Sequence, residues 1–349
     1  MEQWKNGTVE EWKDGKLDGW KALAVLSMKH CENSTNDGVP LHADAQTLIE
    51  QADGLFQSGS YADAGELYKQ AVTAAEQDPG NESLVEALSM VARSYLIQDE
   101  ADEGRPWIQR AEAVATPDQA NDWSRFLSVR GRFEWKDRKD NAKATAIFKE
   151  MYEYCITHAL HDRAIDAAHM VALTGSQEEQ VEWALKGIDA AEQGGHDGWL
   201  GPLWNNLGWT YVELKQHDKA LDALLKARHH HHQRSGVVQK LAADIFVGQA
   251  YRLVGNLDES EKWINEAHQR ARTLWAEHPD DDDFKERLGN THEQLGELAA
   301  ARGSMREALR HLEQSKELLS SAGAEKWDPE GLRRLSDRIG ELTRSGSSQ

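Results

Sequence analysis

The sequence predicts an all-α chain built from stacked helical pairs, and three observations carry that prediction. Ala, Leu, Glu, Gln, Lys and Arg dominate the 349 residues, Phe and Tyr number only 6 and 7, and 7 prolines interrupt the chain, a content that favours helix over strand. Trp204, Leu207, Gly208 and Tyr211 stand at i, i+3, i+4 and i+7, so they share one stripe of a helix. Related stripes return at a period near 40 residues along most of the chain, the signature of a repeat array.

The clearest copy runs from Trp204 to Ala227. Ala220, Leu224 and Ala227 follow the first stripe and line a second helix, and Gly208 leaves room for that helix to approach. In chain order, the first copy uses Ala52, Leu55, Gly59, Tyr61, Ala64, Tyr68 and Ala71; the second uses Leu88, Val91, Ala92, Tyr95, Ile108 and Ala111. The third, Phe126, Val129, Phe133, Ala144 and Phe148, needs one inserted residue between its helices. The fourth is the faintest, with Ala164, Ala167, Ala168, Val171, Leu185 and Ile188 and no aromatic key. The sixth uses Val247, Gly248, Tyr251, Gly255, Ile264 and Ala267, and the seventh Leu295, Gly296, Ala299, Gly303, Ala308 and Leu312.

The spacing W-x2-L-G-x2-Y followed by Ala, Leu and Ala resembles the tetratricopeptide repeat. Repeat starts near residues 45, 85, 123, 161, 201, 241 and 289 cover 45–322 in steps of 38 to 48 residues, longer than the family's usual length of about 34. Longer helices and a wider superhelix are the expected consequence. Asp280 to Asp283 read as a solvated loop before the last pair. After it, Asp328 and Pro329 open a helix over 327–344 whose stripe Leu332, Leu335, Ile339 and Leu342 reads as the cap that a solenoid needs on its last repeat. Residues 1–44 fall outside the template; with Trp4, Trp12 and Trp20 they read as an N-terminal helical cap or an appended arm.

Composition narrows the function. Acidic residues outnumber basic ones 60 to 40, a formal charge of −20, which disfavours nucleic acid and anionic membrane as partners. Two distant cysteines, Cys31 and Cys155, no transmembrane stretch and no signal-like start imply a cytoplasmic protein. Gly194, Gly195, Gly198 and Gly201 follow no strand and precede no Lys-Ser or Lys-Thr, so they read as a linker rather than a phosphate loop. His229 to His232 point about 100° apart on a helix and cannot close one coordination sphere; they read as a polar helix end. Cys155, His158 and His161 lack a fourth ligand, and Cys155 reads as a small core residue. No catalytic constellation emerges, so no enzyme activity, cofactor or metal is expected.

The resemblance implies that first helices line a concave groove. Carried over by repeat position, the groove candidates are Arg93, Trp135, Asp166, His169, Asn205, Asn206, Trp209, Gln249, Arg252 and Glu297. Asn205 and Asn206 can donate to and accept from a peptide backbone, and Trp209 offers a flat apolar platform. Ile165 and His169 stand where the family's carboxylate clamp would carry basic residues, which argues against a chaperone-type clamp. The expected function is a non-enzymatic scaffold binding a peptide segment or partner helix, the net acidity pointing to a basic or neutral partner. A peptide-sensing regulator and a non-catalytic subunit of an enzyme complex are the alternatives.

Overall fold

Short left-handed turns join the helices of this chain and set its architecture. In the computed structural model, which describes residues 44–77 and 83–346, sixteen α-helices are present and no strand occurs among the described residues. The segment expected to form an N-terminal helical cap or an arm, residues 1–44, lies outside them but for residue 44.

Seven pairs follow one another: α1 (Ala45–Gln57) with α2 (Tyr61–Gln77), α3 (Leu84–Ile97) with α4 (Ala101–Val114), α5 (Ala120–Lys136) with α6 (Asn141–Thr157), and α7 (His161–Thr174) with α8 (Gln177–Gly194). After a 3-10 turn at Asp197–Trp199 come α9 (Leu200–Glu213) with α10 (His217–Arg234), α11 (Val237–Leu253) with α12 (Leu257–Glu277), and α13 (Asp282–Ala301) with α14 (Met305–Ser321). The short α15 (Ala324–Trp327) and α16 (Pro329–Gly346) end the chain. Two compact units emerge, with the division inside α9 between Thr210 and Tyr211.

Six of the seven pairs turn through one residue in the left-handed region: Gly59, Asp99, Lys139, Lys215, Gly255 and Gly303. This conformation lets the next amide reach back to the carbonyl five residues earlier, as Ser60 N does to Leu55 O at 2.9 Å and Asn256 N to Tyr251 O at 3.0 Å, satisfying helix-end carbonyls. The third pair holds its extra residue here, since Asp140 N reaches Glu134 O, six residues back, at 2.8 Å. The fourth pair turns instead through Gly175 and a capping box between Ser176 and Glu179, which explains why its sequence signature is the faintest.

In the N-terminal unit the first helices lie side by side, α1 on α3, α3 on α5 and α5 on α7. The stripes read from sequence are buried: Ala64, Tyr68, Ala92, Phe126, Phe148 and Ala168 are at most 2% exposed. Small residues set the helix separation. A Cβ on Gly131 would stand 2.5 Å from Phe148 Cε1, and one on Gly104 2.9 Å from both Ala92 O and Phe133 Cζ. Leu185 departs from expectation. It is 43% exposed, and Trp183, Ala184, Ile188 and Ala191 form the inward face of α8, because Leu185 falls about 100° past the buried Ala184.

In the C-terminal unit Ala220, Leu224 and Ala227 are each 1% exposed, whereas Tyr211 is only half-buried, with Lys219 Nζ 5.5 Å from its ring centroid. Ile264 fills the space that a Cβ on Gly248 would need, and Leu312 the space beside Gly296. Leu332, Leu335 and Leu342 of α16 close on Leu312 and Leu319 of α14, each burial contributing about 1.5–3 kcal/mol. Asp328 caps this helix by accepting from Gly331 N at 2.8 Å. The acidic run is not a free loop: Asp281 accepts from Asp283 N at 2.9 Å and α13 begins at Asp282, since carboxylates suit the unpaired amides of a helix start. No described helix is long and apolar enough to cross a membrane.

Gly131→Val should drive a side chain into Phe148 and destabilise the N-terminal unit by roughly 1–3 kcal/mol or more. An unchanged urea unfolding midpoint would contradict this packing.

Candidate functional site

The stripe of each helix that is not consumed by packing decides what the first helices can do. In the N-terminal unit, α1, α3, α5, α7 and α9 carry polar side chains that connect from helix to helix. Glu86 of α3 accepts from Arg125 Nε of α5 at 3.0 Å and from Arg163 Nη2 of α7 at 2.8 Å. Arg125 also lies 3.6 Å from Asp53 of α1, which accepts from the Tyr68 hydroxyl. Burial alone would raise the Glu86 carboxyl, but the two guanidiniums outweigh it and hold the group below its ordinary value.

A second row runs along the same helices. Arg132, 7% exposed, donates from Nη2 to Asp166 Oδ1 at 2.6 Å, and Ser128 donates to Asp166 Oδ2 at 3.3 Å. Three residues on, burial pushes His169 down to about 4, Asp166 opposing it only in part. The imidazole is therefore neutral at pH 7, which agrees with its Nε2 accepting from Asn206 Nδ2 at 2.7 Å and places the ring proton on Nδ1. Trp199 stands edge-on to that ring, centroids 6.1 Å apart.

The expected groove residues divide unequally. Asn205 is 4% exposed and faces the core, so Asn206, half-buried, is the asparagine that presents an amide; adjacent residues on a helix point about 100° apart. Trp209 is half-buried. Trp135 is 9% exposed, with Lys136 Nζ 4.3 Å from its ring centroid. Arg93 is half-buried on α3. Gln249 and Arg252 belong to the C-terminal unit, where both are half-buried and Arg252 Nη2 donates to Gln294 Oε1 at 3.2 Å. There Glu297 is taken by Arg338, Nε to Oε1 at 2.8 Å and Nη2 to Oε2 at 3.0 Å.

Sequence reasoning missed Asp53, Glu86, Arg125, Arg132 and Arg163. A signal existed: Glu86 and Arg125 are 39 residues apart and Glu86 and Arg163 77, close to one and two repeat steps, so charge recurs at the period of the array.

The histidine run also differs from a solvated helix end. His231 is 4% exposed, its Nδ1 2.8 Å from Ser235 Oγ, and burial pushes it down to about 4. His232 Nε2 donates to Asp244 Oδ1 at 2.8 Å, and the same oxygen accepts from Arg228 Nε at 2.6 Å. His232 therefore ties α10 to α11, while His231 bonds within the end of α10. No group of three or more His, Cys, Asp or Glu side chains suited to a metal ion occurs among the described residues. Cys155 is fully buried and its thiol is pushed up to about 12, as befits a small core residue.

The tetratricopeptide repeat pattern matches residues 201–227, the segment that contains Asn205, Asn206 and Trp209. The chain carries a tetratricopeptide repeat at this segment, within an all-α array of stacked helix pairs. Its fold is that of the repeat-bearing signal transduction ATPase with numerous domains from Pyrococcus horikoshii, at a TM-score of 0.63 and 16% identity over 82% of this chain and 44% of that one. The chain thus spans less than half of the archaeal protein's length. A tetratricopeptide repeat protein from Parabacteroides merdae aligns over 84% of this chain and 98% of its own, at 12% identity and a TM-score of 0.49. No curated protein matches the chain in sequence.

Two outcomes follow from these environments. His169 has a folded pKa near 4 against an unfolded value of about 6.5, so the native state resists protonation. The associated stability is complete above about pH 6.5 and is lost as pH falls toward 4, roughly 3 kcal/mol in all. His169→Gln should remove about one proton's worth of that pH dependence, read from urea midpoints between pH 4 and 7; an unaltered slope would refute the neutral ring. His231→Ala should cost about 2–4 kcal/mol, whereas His229→Ala, at an exposed position, should stay within about 0.5 kcal/mol.

Proposed function

We propose that this tetratricopeptide protein is a non-enzymatic interaction scaffold, and that the first-helix face of its N-terminal unit holds a peptide segment or a partner helix. The carrying observation is the two rows of polar side chains on that face, one from Asp53 through Arg125 and Glu86, the other with Arg132, Asp166, His169 and Asn206. Nothing in the packing of the pairs needs it, since the apolar stripes already lock the helices. Ion pairs at such depth contribute little net stability, because desolvation consumes most of their attraction. A preorganised row of donors and acceptors is instead what recognition of a peptide backbone and its side chains uses.

Asn206 spends one amide hydrogen on His169 and keeps its second hydrogen and its carbonyl oxygen for a ligand. Half-buried Trp209 lies one turn along the same helix and supplies an apolar contact beside it. Gln249 and Arg252 are the corresponding candidates in the C-terminal unit, and Arg93 and Trp135 extend the N-terminal set. A soluble cytoplasmic setting fits this reading.

Asn206→Ala should weaken partner binding by about 1–3 kcal/mol if the amide is buried against a peptide backbone, while its melting temperature stays within a few degrees of wild type. A pull-down with quantitative mass spectrometry compares the two proteins. Asn205 is left intact, because its burial would confound binding with folding. Retention of every partner by Asn206→Ala would remove this face from consideration.

A further inference from the structure

Three histidines that the scaffold reading leaves unused meet in the C-terminal unit. His268 of α12, His292 of α13 and His311 of α14 are half-buried, with ring centroids 4.7 Å apart between His268 and His292 and 5.1 Å apart between His292 and His311. Their hydrogen bonds fix where each proton sits. The Arg310 guanidinium can only donate, so its Nη2 at 3.0 Å makes His311 Nε2 an acceptor. His311 then carries its proton on Nδ1 and donates it to His292 Nδ1 at 2.9 Å, which leaves the His292 proton on Nε2. Thr291, fully buried, donates its hydroxyl to Leu288 O at 2.7 Å and therefore accepts from His268 Nδ1 at 3.0 Å.

All three rings are neutral in this arrangement, and a further proton breaks it. At His292 the proton needs Nδ1, which already accepts from His311; at His311 it needs Nε2, which already accepts from Arg310. At His268 it goes to Nε2 and sets a cation beside the His292 ring. Burial is the main force against a charge here, and it pushes His268 and His292 down to about 4 and His311 below its ordinary value. Arg272 of α12 and Arg310 of α14 add like-charge repulsion, the rings repel one another, and Glu307 of α14 favours a proton on His311. The same seam is where the helices are closest. Leu312, next to His311, fills the space that a Cβ on Gly296 of α13 would need, and it joins the apolar cluster with Leu332, Leu335 and Leu342 of α16.

We propose that His268, His292 and His311 form an acid-sensitive latch, which joins α12, α13 and α14 while the rings are neutral and frees α14 with the capping helix α16 when they take up protons. The folded rings hold a proton less tightly than unfolded ones, whose value is about 6.5. The stability of the seam is therefore complete above about pH 6.5 and is lost as pH falls toward 4. Release uncovers Leu312 and Leu319 of α14 and the apolar stripe of α16, so a surface that is closed at neutral pH becomes available in acid.

Hydrogen exchange of the full chain, followed by mass spectrometry and corrected for intrinsic rates, reads the amides of α14 and α16 between about pH 7 and pH 5. Each proton taken up on opening should lower their protection on the order of tenfold across this range. His292→Gln, which cannot titrate, should lose about tenfold less than wild type. Arg310→Ala, at an exposed position, leaves His311 Nε2 open to a proton in the folded state and should also respond less steeply; it carries the test if His292→Gln does not fold. His169 and His231 are present in every protein compared, so their contribution cancels. Protection that stays flat in wild type, or that falls as steeply in the folded variants as in wild type, would overturn the latch. An equal loss throughout the C-terminal unit, α10 included, would mark global acid unfolding rather than release of the last pair and would overturn it as well.

Discussion

Close approach of helix to helix through small residues is the constraint on which the rest of this protein depends. Gly131 against Phe148, Gly104 against Ala92 and Phe133, and Gly296 against Leu312 leave no room for a Cβ. Alanines at 0–1% exposure, such as Ala64, Ala144, Ala220 and Ala308, do the same elsewhere. At that spacing one large side chain per pair, Tyr68, Phe148 or Ile264, fills the gap between backbones. Neither helix of a pair buries its stripe alone, so each pair needs a neighbour, and the last one needs α16.

Because those locks are apolar and continuous, the polar face of the first helices is free of a packing role. It can carry charges that a globular core would not tolerate, provided they are paired. The arrangement here is two rows of shared partners, with Glu86 between two arginines in one and Asp166 between Arg132 and Ser128 in the other. The histidines obey the same rule with the opposite outcome: His169 and His231 meet their burial by staying neutral, each with a single hydrogen-bonding neighbour.

Similarity at 16% identity conveys the architecture of this chain and not its specificity. Repeat proteins of this kind keep their lock residues because packing is unforgiving, whereas face residues are limited only by what they bind. The segment 201–227 shows the separation within a few residues: Leu207 is fully buried as a lock, and Asn206 beside it is turned to the face.

The sequence by itself determined the all-α class, the seven-pair array and the closing helix, since lock positions recur at i, i+3, i+4 and i+7 and at one period along the chain. Its reading faltered where the local pattern lost its usual punctuation: Leu185 was assigned to the core on a helix whose turn lacks the left-handed residue, and Asp280 to Asp283 hid a helix start. Only the tertiary structure decided which of Asn205 and Asn206 is buried, that His231 is buried, and that Glu86 is shared between Arg125 and Arg163. The physical reason is range. Packing periodicity is written within one helix, whereas charge pairing joins residues about 39 and 77 positions apart, and rotations of 100° between neighbours decide which of them meet.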